Sequence, residues 1–306
     1  TGGYDMLSEG VVFIDDQYVE PAEAKMSVFD MGMVWGDAVF DVTSTWDGQF
    51  FMLEQHLDRF EHSMERFQLT NPYSRDEVRR ICAECVERSG YERTYVKFQI
   101  WRGLSPGYGE DLRLGECHFM AYAIPYVWLW GEDRCRNGAN LHLSSIERVS
   151  SKAIDQRAKN YNRLDLVQAR HDAFDRGCVD TILCGPDGHL TEGPGYNIFV
   201  VHNGKVSTPD HNILEGITRQ AVLELCELEG LDVEARPVHP TELDEAHEVF
   251  ASSTAGGVMP VVQIDGRPIG NGHPGLVTTR LQESYWARRE TGWHGTPVSD
   301  ILGSAS

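Results

Sequence analysis

Apolar and polar positions alternate along this chain in short blocks that predict strands and amphipathic helices in turn. Val11-Val-Phe-Ile-Asp15 predicts a strand, and a Gly-punctuated segment then leads to another at Ala38-Val-Phe-Asp-Val-Thr43. Leu57, Phe60, Met64 and Phe67 fall on one face of a helix spanning about Leu53 to Gln68. From Ser74 the apolar residues Val78, Ile81, Cys82, Cys85 and Val86 recur at helical spacing behind a capping-box signature, Ser74 with Glu77. Tyr95 to Trp101 is β-branched and aromatic, and His118 to Ile124 predicts a further strand. The pattern breaks from Tyr126 to Asn137. Beyond it, helices are predicted at Leu164–Arg176, stopped by Gly177, and at Thr218–Leu228, stopped by Gly230. Strands are predicted at Thr181–Cys184, at Asn197–Val201 entering a hairpin at Asn203-Gly204, and at Glu248–Ser252 before a Gly-rich turn. The reading is α+β in two domains: residues 1–125, a linker at 126–137, residues 138–290, and a tail at 291–306. No internal repeat is visible.

The composition narrows the classes of function. The 306 residues are 41% hydrophobic and 24% charged, with a formal charge of −20. That excess of acid disfavours nucleic acid and anionic membrane surfaces as partners. The most apolar stretch, Cys117 to Trp130, is about 14 residues long and is interrupted by His118 and Pro125. A membrane span needs roughly 20, so none is expected. The N-terminal Thr-Gly-Gly-Tyr-Asp has neither a basic nor an apolar region, so no secretion signal is expected. Seven cysteines, an odd number in a long chain, point to reduced thiols and a cytoplasmic setting. Cys82-Ala-Glu-Cys85 has a metal-ligand spacing but no second pair. Its place on an amphipathic helix turns both thiols toward a core instead.

Four segments carry candidate chemistry. Gly216-Ile-Thr-Arg219 opens a helix, whose first-turn N–H groups and positive dipole end suit an anion, although taken alone it reads more simply as a helix start with Thr218 as a plain N-cap. Ser252-Ser-Thr-Ala-Gly-Gly257 offers hydroxyls and backbone donors, or is simply a tight connection. Two such turns with an arginine such as Arg59 would make a phosphate cup. Lys152, Arg157 and Lys159 concentrate positive charge in an acidic chain, either as a solvated loop or around a Schiff-base lysine. Glu192 is either a turn residue or a buried carboxylate holding a proton on a heterocyclic nitrogen. Glycine-rich dinucleotide and phosphate loops and the serine-hydrolase elbow are absent. The histidines, His202, His211 and His239 among them, show no ligand spacing, so no metal is expected.

In order, these segments resemble the fold type IV pyridoxal-phosphate enzymes, the group of branched-chain aminotransferases, D-amino-acid aminotransferases, (R)-selective amine transaminases and aminodeoxychorismate lyase. The resembling blocks are Phe29-Asp-Met-Gly-Met-Val-Trp-Gly-Asp-Ala-Val-Phe-Asp-Val42, His56-Leu-Asp-Arg59-Phe with Ser63, Lys159, Asp187 to Phe199, Leu214 to Arg219 and Ser253 to Pro260. They extend over about residues 10 to 287. The resemblance implies pyridoxal 5'-phosphate as cofactor, lying between the two domains, and a homodimer in which a partner loop completes the site. It implies that Lys159 forms the Schiff base and shuttles the proton. Glu192 would stand beside the pyridine nitrogen and keep the ring protonated, so that it acts as an electron sink. Arg59, Gly216, Ile217, Thr218, Ser253 and Thr254 match the phosphate cup, and Leu214 the residue packed on the ring.

Within this group the substrate residues differ. D-amino-acid enzymes hold the substrate carboxylate with an Arg and a His where this chain has Gly107 and Gly109. Losing such a partner removes a bond typically worth ~1.5–3 kcal/mol. The lyase pattern needs an arginine where Gly107 stands, although Lys97 fits its lysine. Tyr95 and Lys97 resemble the Tyr and Arg of branched-chain enzymes, with a point charge in place of the planar fork. Val42, two residues after Phe40, is similar to the D-amino-acid and (R)-amine enzymes, and Trp35 is expected to narrow one side of the site. Ala121–Tyr126, Thr254–Pro260, Ile264–Ile269 and Gly275-Leu-Val-Thr look most like the (R)-selective amine transaminases, where Thr254-Ala255 offers N–H groups to an acceptor's carboxylate. The expectation is therefore a transaminase of that branch using a keto acid such as pyruvate. A branched-chain L-amino-acid aminotransferase is the alternative. A cofactor-binding protein without turnover is a third reading, against which both Lys159 and Glu192 stand.

Overall fold

A computed structural model of the chain describes residues 9–303. It divides into two compact units, and the division is discontinuous in sequence. The first comprises the chain up to Tyr126, the short segment Ala158–Asn162, and the chain from Arg289 on. The second comprises Val127–Arg157 and Arg163–Arg288.

The first unit is built on a seven-stranded sheet. Its strands include β1 (Val11–Ile14), β2 (Gln17–Val19), β3 (Ala38–Trp46), β4 (Gln49–Phe51), β5 (Thr94–Arg102) and β6 (Cys117–Pro125). The order is β4-β3-β5-β6-β1-β2, with the late strand Gly295–Pro297 outside β4, and every pairing is antiparallel. Two helices, α1 (Leu53–Phe67) and α2 (Arg75–Ser89), cover one face. There Val39, Val96, Phe98, Ile100, Phe119 and Ala121 join Leu57, Phe60, Val78 and Cys82 in one core. Phe60 meets Phe98 edge-to-face at 5.0 Å, a geometry worth about 0.5–1.5 kcal/mol beyond the area buried.

The period-2 register then decides what the other face carries. Phe40 is opposite Gln99, and Val42 is opposite Lys97, which is opposite Tyr122. All the residues that resemble substrate contacts on these strands therefore share the face turned away from the helical core.

The capping box at Ser74 and Glu77 is formed, with Gly90 closing α2 in the left-handed region. Cys82 and Cys85 are buried free thiols, and burial pushes the Cys85 thiol up to about 12. They fill the core, as their helical phase requires.

The second unit contains β7 (Ala139–Glu147), β8 (Asp180–Cys184), β9 (Glu192–Gly193), β10 (Tyr196–His202), β11 (Lys205–Thr208), β12 (Val233–Ala235), β13 (Glu248–Ser253) and β14 (Gly257–Ile264). Its main path runs β12-β11-β10-β13-β14-β7-β8, with β9 on β10 and the short strand Arg267–Pro268 on β14. The central hairpins are antiparallel, whereas β11 with β12, β14 with β7 and β7 with β8 are parallel. Helices α3 (Leu164–Asp175) and α4 (Ile217–Leu228) belong to this unit, as does most of α5 (Leu276–Glu290).

Two sequence expectations change. The stretch 126–137 is not a bare linker: Glu132–Asn137 is helical and seats Cys135 in the core, while the Trp130 indole donates to Asp180 at 3.1 Å. Helix α4 begins one residue early, and Gly216, not Thr218, is its N-cap. Among the described residues no helix is long and apolar enough to cross a membrane.

Candidate active site

Lys159 sits on a segment stitched to the edge of β3. Its carbonyl accepts the Phe40 N–H at 3.0 Å, and Val39 pairs with Asn160 as an antiparallel bridge. Its own N–H donates to Ser63 Oγ at 3.0 Å, and that hydroxyl donates in turn to the Arg59 carbonyl. The backbone of Lys159 is thus fixed from β3 and from α1 independently of its side chain. The Nζ atom lies 4.9 Å from the centroid of the Phe40 ring. Lys97 approaches the same ring at 4.7 Å and that of Tyr161 at 4.9 Å. Ring faces attract ammonium groups by about 0.5–1 kcal/mol, more where water is excluded. They therefore favour the presence of two cations on one apolar face. Tyr95 stacks on Tyr122 nearby, and Val42 is buried beside Lys97's strand position.

On the opposite face of β3, Asp41 is 0% exposed. Its carboxylate accepts Arg59 Nε at 2.8 Å, Arg59 Nη2 at 2.8 Å and the Val42 N–H at 2.7 Å, and it lies 2.7 Å from His56 Nδ1. Burial alone would raise its pKa. The Arg59 charge and the bonds from His56 and Arg59 outweigh burial and hold it well below the usual carboxylate range. Burial moves His56 downward, against the pull of Asp41. His56, Arg59 and Ser63 stand three and four residues apart, so one stripe of α1 presents all of them to β3 and to Lys159.

In the second unit, Glu192 is buried at the start of the β9–β10 hairpin. Its Oε1 accepts Arg148 Nη2 at 3.1 Å, and its Oε2 accepts the Leu214 N–H at 2.9 Å. Arg148 is shared with Asp165 and Gln156, so a buried cation holds the carboxylate from behind. Leu214 is fixed from its other side, because its carbonyl accepts Asn197 Nδ2 at 2.9 Å.

Asn197 also limits the residue that starts α4. A Cβ at Gly216 would stand 2.1 Å from Asn197 Oδ1, so only glycine fits there. With no side chain to cap it, α4 opens with the N–H groups of Ile217 and Thr218 uncapped by Gly216. Ser252 is directly opposite Asn197 in the sheet. Its hydroxyl is buried in a residue 2% exposed and has no hydrogen-bond partner among the described residues. An orphaned buried hydroxyl and an uncapped helix start in one neighbourhood are what an absent anion would leave behind. Ser253 Oγ donates to the Gly195 carbonyl and accepts the Ala255 N–H, which shapes the Ser253-Thr254-Ala255 turn.

Trp35 is 67% exposed on its own chain and ends the helical turn Met31–Val34, with its indole nitrogen beside Gly109. Gly107 and Gly109 stand on a turn whose Gly107 and Tyr108 are left-handed, and the nearby Arg113 is paired with Asp111. The Lys152–Lys159 cluster separates: Lys159 lies in the first unit, while Arg157 pairs with Asp155 in the second. Nothing in sequence spacing marks Arg148, whose partners stand 8, 17 and 44 residues away.

The family model for amino-transferase class IV matches residues 38–264. The branched-chain-amino-acid aminotransferase of Pseudomonas aeruginosa is 29% identical over 288 residues, covering 91% of this chain and 92% of its own. The D-alanine aminotransferase of Staphylococcus haemolyticus is 30% identical over 278 residues, covering 90% and 96%. A solved structure, the branched-chain amino acid aminotransferase from Thermobaculum terrenum in its PLP-bound holo form, superposes with a TM-score of 0.85 at 26% identity, covering 95% of this chain and 99% of that one. The family match starts at β3 and runs to the end of β14, and so includes the segments around both Lys159 and Glu192. The chain belongs to the class IV amino-transferases and is a pyridoxal-phosphate-dependent aminotransferase.

Proposed function

We propose that this enzyme moves an amino group from a primary amine of (R) configuration to a keto acid such as pyruvate. Bound pyridoxal phosphate supplies an electron sink for the charge that develops at the donor carbon when its proton leaves. By the resemblance of their motifs, Lys159, Arg59, Glu192, Leu214, Gly216, Ile217, Thr218, Ser253 and Thr254 are the residues proposed to hold it. Lys159 Nζ is the base that accepts the donor's proton and later returns it. Glu192, anchored by Arg148, supplies negative charge at the ring nitrogen. The uncapped start of α4 and the Ser252 hydroxyl fit the phosphate.

The observation that carries the donor class is the face beside Lys159. Phe40, Val42, Tyr122 and Tyr161 line it, and Lys97 lies against the rings of Phe40 and Tyr161. Apolar and aromatic walls suit a donor whose substituents are carbon, and Gly107 and Gly109 provide no side chain for an α-carboxylate. A branched-chain L-amino-acid aminotransferase is the second reading. Lys97 favours it as a charge for such a carboxylate, as does the name of the Pseudomonas relative.

Mixing holoenzyme without acceptor with (R)-1-phenylethylamine, its (S) enantiomer, D-alanine and L-leucine separates these readings. The visible absorbance is expected to bleach fastest with the (R)-amine. Faster bleaching by L-leucine would sink the proposal in favour of the second reading, and Lys97→Met would then raise the KM for leucine about tenfold or more.

Glu192→Gln keeps the shape and removes the charge. Arg148 retains Asp165, so the fold is expected to survive while kcat falls by about 10². A variant within threefold of the parent would dismiss the electrostatic role of Glu192.

A homodimer is part of this proposal. Val28, Phe29, Met33 and Trp35 are exposed, as are Leu104 and Tyr108 on the adjoining loop, where Gly109 packs on Met31. Monomers rarely leave so much apolar surface in one patch. Light scattering is expected to give twice the 34.4 kDa chain mass. Seven free thiols support a cytoplasmic setting.

A further inference from the structure

Folding brings together side chains that sequence spacing kept apart. The turn between β8 and β9 is tight: Gly188 N–H donates to the Gly185 carbonyl at 2.9 Å, and Gly185 N–H to the His189 carbonyl at 2.8 Å. Pro186 and the left-handed Gly188 shape it, and it projects Asp187 and His189 to the same side. His211 arrives from the loop before α4. Asp187 Oδ2 lies 2.6 Å from His211 Nε2 and 3.1 Å from His189 Nδ1. One ligand atom from each of the three residues lies within 4.8 Å of the others.

The far nitrogen of His211 is also committed. Its Nδ1 bonds to Asp210 Oδ1 at 2.5 Å, which orients the ring so that Nε2 faces Asp187 and His189. A carboxylate behind a histidine, fixing its tautomer and raising its basicity, is the usual outer support of a metal-bound imidazole. We propose that Asp187 Oδ2, His189 Nδ1 and His211 Nε2 form a binding site for a divalent transition ion of the zinc class, with water in the remaining position. Two imidazoles and a carboxylate are a donor set that zinc accepts. Ligands at about 2.0–2.2 Å in a tetrahedron stand roughly 3.3–3.6 Å apart. The two contacts of Asp187 Oδ2, at 2.6 and 3.1 Å, therefore have to open by less than about 1 Å to take the ion.

The site would act as a clamp. The turn carrying Asp187 and His189 continues through Thr191 to Glu192. The loop carrying His211 continues through Ile213 to Leu214, whose N–H donates to that same carboxylate. An ion joining the two would fasten both strands of chain that position Glu192. This inference does not depend on which amine the enzyme uses.

The test is made on holoenzyme freed of metal by chelator dialysis, equilibrated with zinc chloride, and washed. Elemental analysis is expected to find one zinc per chain in the parent. His189→Ala/His211→Ala should retain less than a tenth of that, whereas Cys184→Ser retains it in full, which separates this site from nearby thiols. Zinc should raise the thermal midpoint of the parent by several degrees and leave the double variant unmoved, since a ligand that binds only the folded form stabilises it. All three ligands are surface residues, so the double variant without metal should melt with the metal-free parent. Absence of stoichiometric zinc in the parent, or equal retention by parent and double variant, would overturn the proposal.

Discussion

Lys159→Ala is expected to lower kcat for transamination by at least about 10³, with the protein still folded. Positioned proton transfer alone contributes about 10²–10⁴, and this substitution removes the group that also attaches the cofactor covalently. The fold should tolerate it, because what holds the segment is backbone: the Lys159 carbonyl on the Phe40 N–H and the Lys159 N–H on Ser63 Oγ. Three measurements check this. Borohydride reduction should fix cofactor to the parent and not to the variant. The urea midpoints of the cofactor-free proteins should agree closely. Small added amines should restore part of the rate, because they replace the missing base without its tether. A variant turning over within tenfold of the parent would remove Lys159 from the catalytic role.

The part of this site that the sequence announces is the part made of contiguous motifs. The block from Phe29 to Val42, the Leu214–Arg219 helix start and the Ser253–Pro260 turn each gather backbone and side-chain donors within a few residues, so their chemistry is visible before folding. The helix α2 and its capping box are legible for the same reason: every interaction that defines them spans four residues or fewer.

What the sequence conceals is charge that only tertiary structure makes sense of. Asp41 reads as one acid among many until β3 carries it under α1, where no water reaches it. Arg148 sits near a strand end, where a surface role is the usual expectation, and it becomes the support of Glu192 only through partners far along the chain. Trp35 is a different case, since its size suggests a wall and its own chain leaves it exposed. Gly216 reads as part of an anion-suited helix start, but not as the N-cap itself, which the sequence offers at Thr218. The approach of Asn197, which excludes any side chain there, belongs to a strand about twenty residues upstream.

Arg59→Met should be the most damaging of the stability changes proposed for this protein. Asp41 would keep His56 and the Val42 N–H but lose both guanidinium bonds and the full charge that offsets its own. Breaking a buried ion pair from one side typically costs about 3–5 kcal/mol, because the remaining charge stays desolvated. The cofactor-free protein is the right material, since any loss of phosphate binding then does not enter. Asp41→Asn/Arg59→Met should recover much of the loss, because a neutral amide in the same place needs no counter-charge. The pH dependence gives an independent check. Asp41 titrates below its unfolded value of about 3.9, so the native state binds fewer protons than the unfolded one as pH falls below about 4. Its contribution is complete at neutral pH and is lost in acid. His56 has the same sign for a different reason: it is buried with its pKa lowered, so acid below about 6.5 protonates the unfolded chain first and draws the equilibrium away from the fold. The parent should therefore begin to weaken below about pH 6.5 and weaken again below about pH 4. The gap between parent and Arg59→Met should narrow across the second interval, where protonation of Asp41 removes the charge that Arg59 served. A loss of under about 1 kcal/mol in Arg59→Met at pH 7, or a gap that stays constant down to pH 3, would mean that the pair is a solvated contact and that Arg59 serves the cofactor alone.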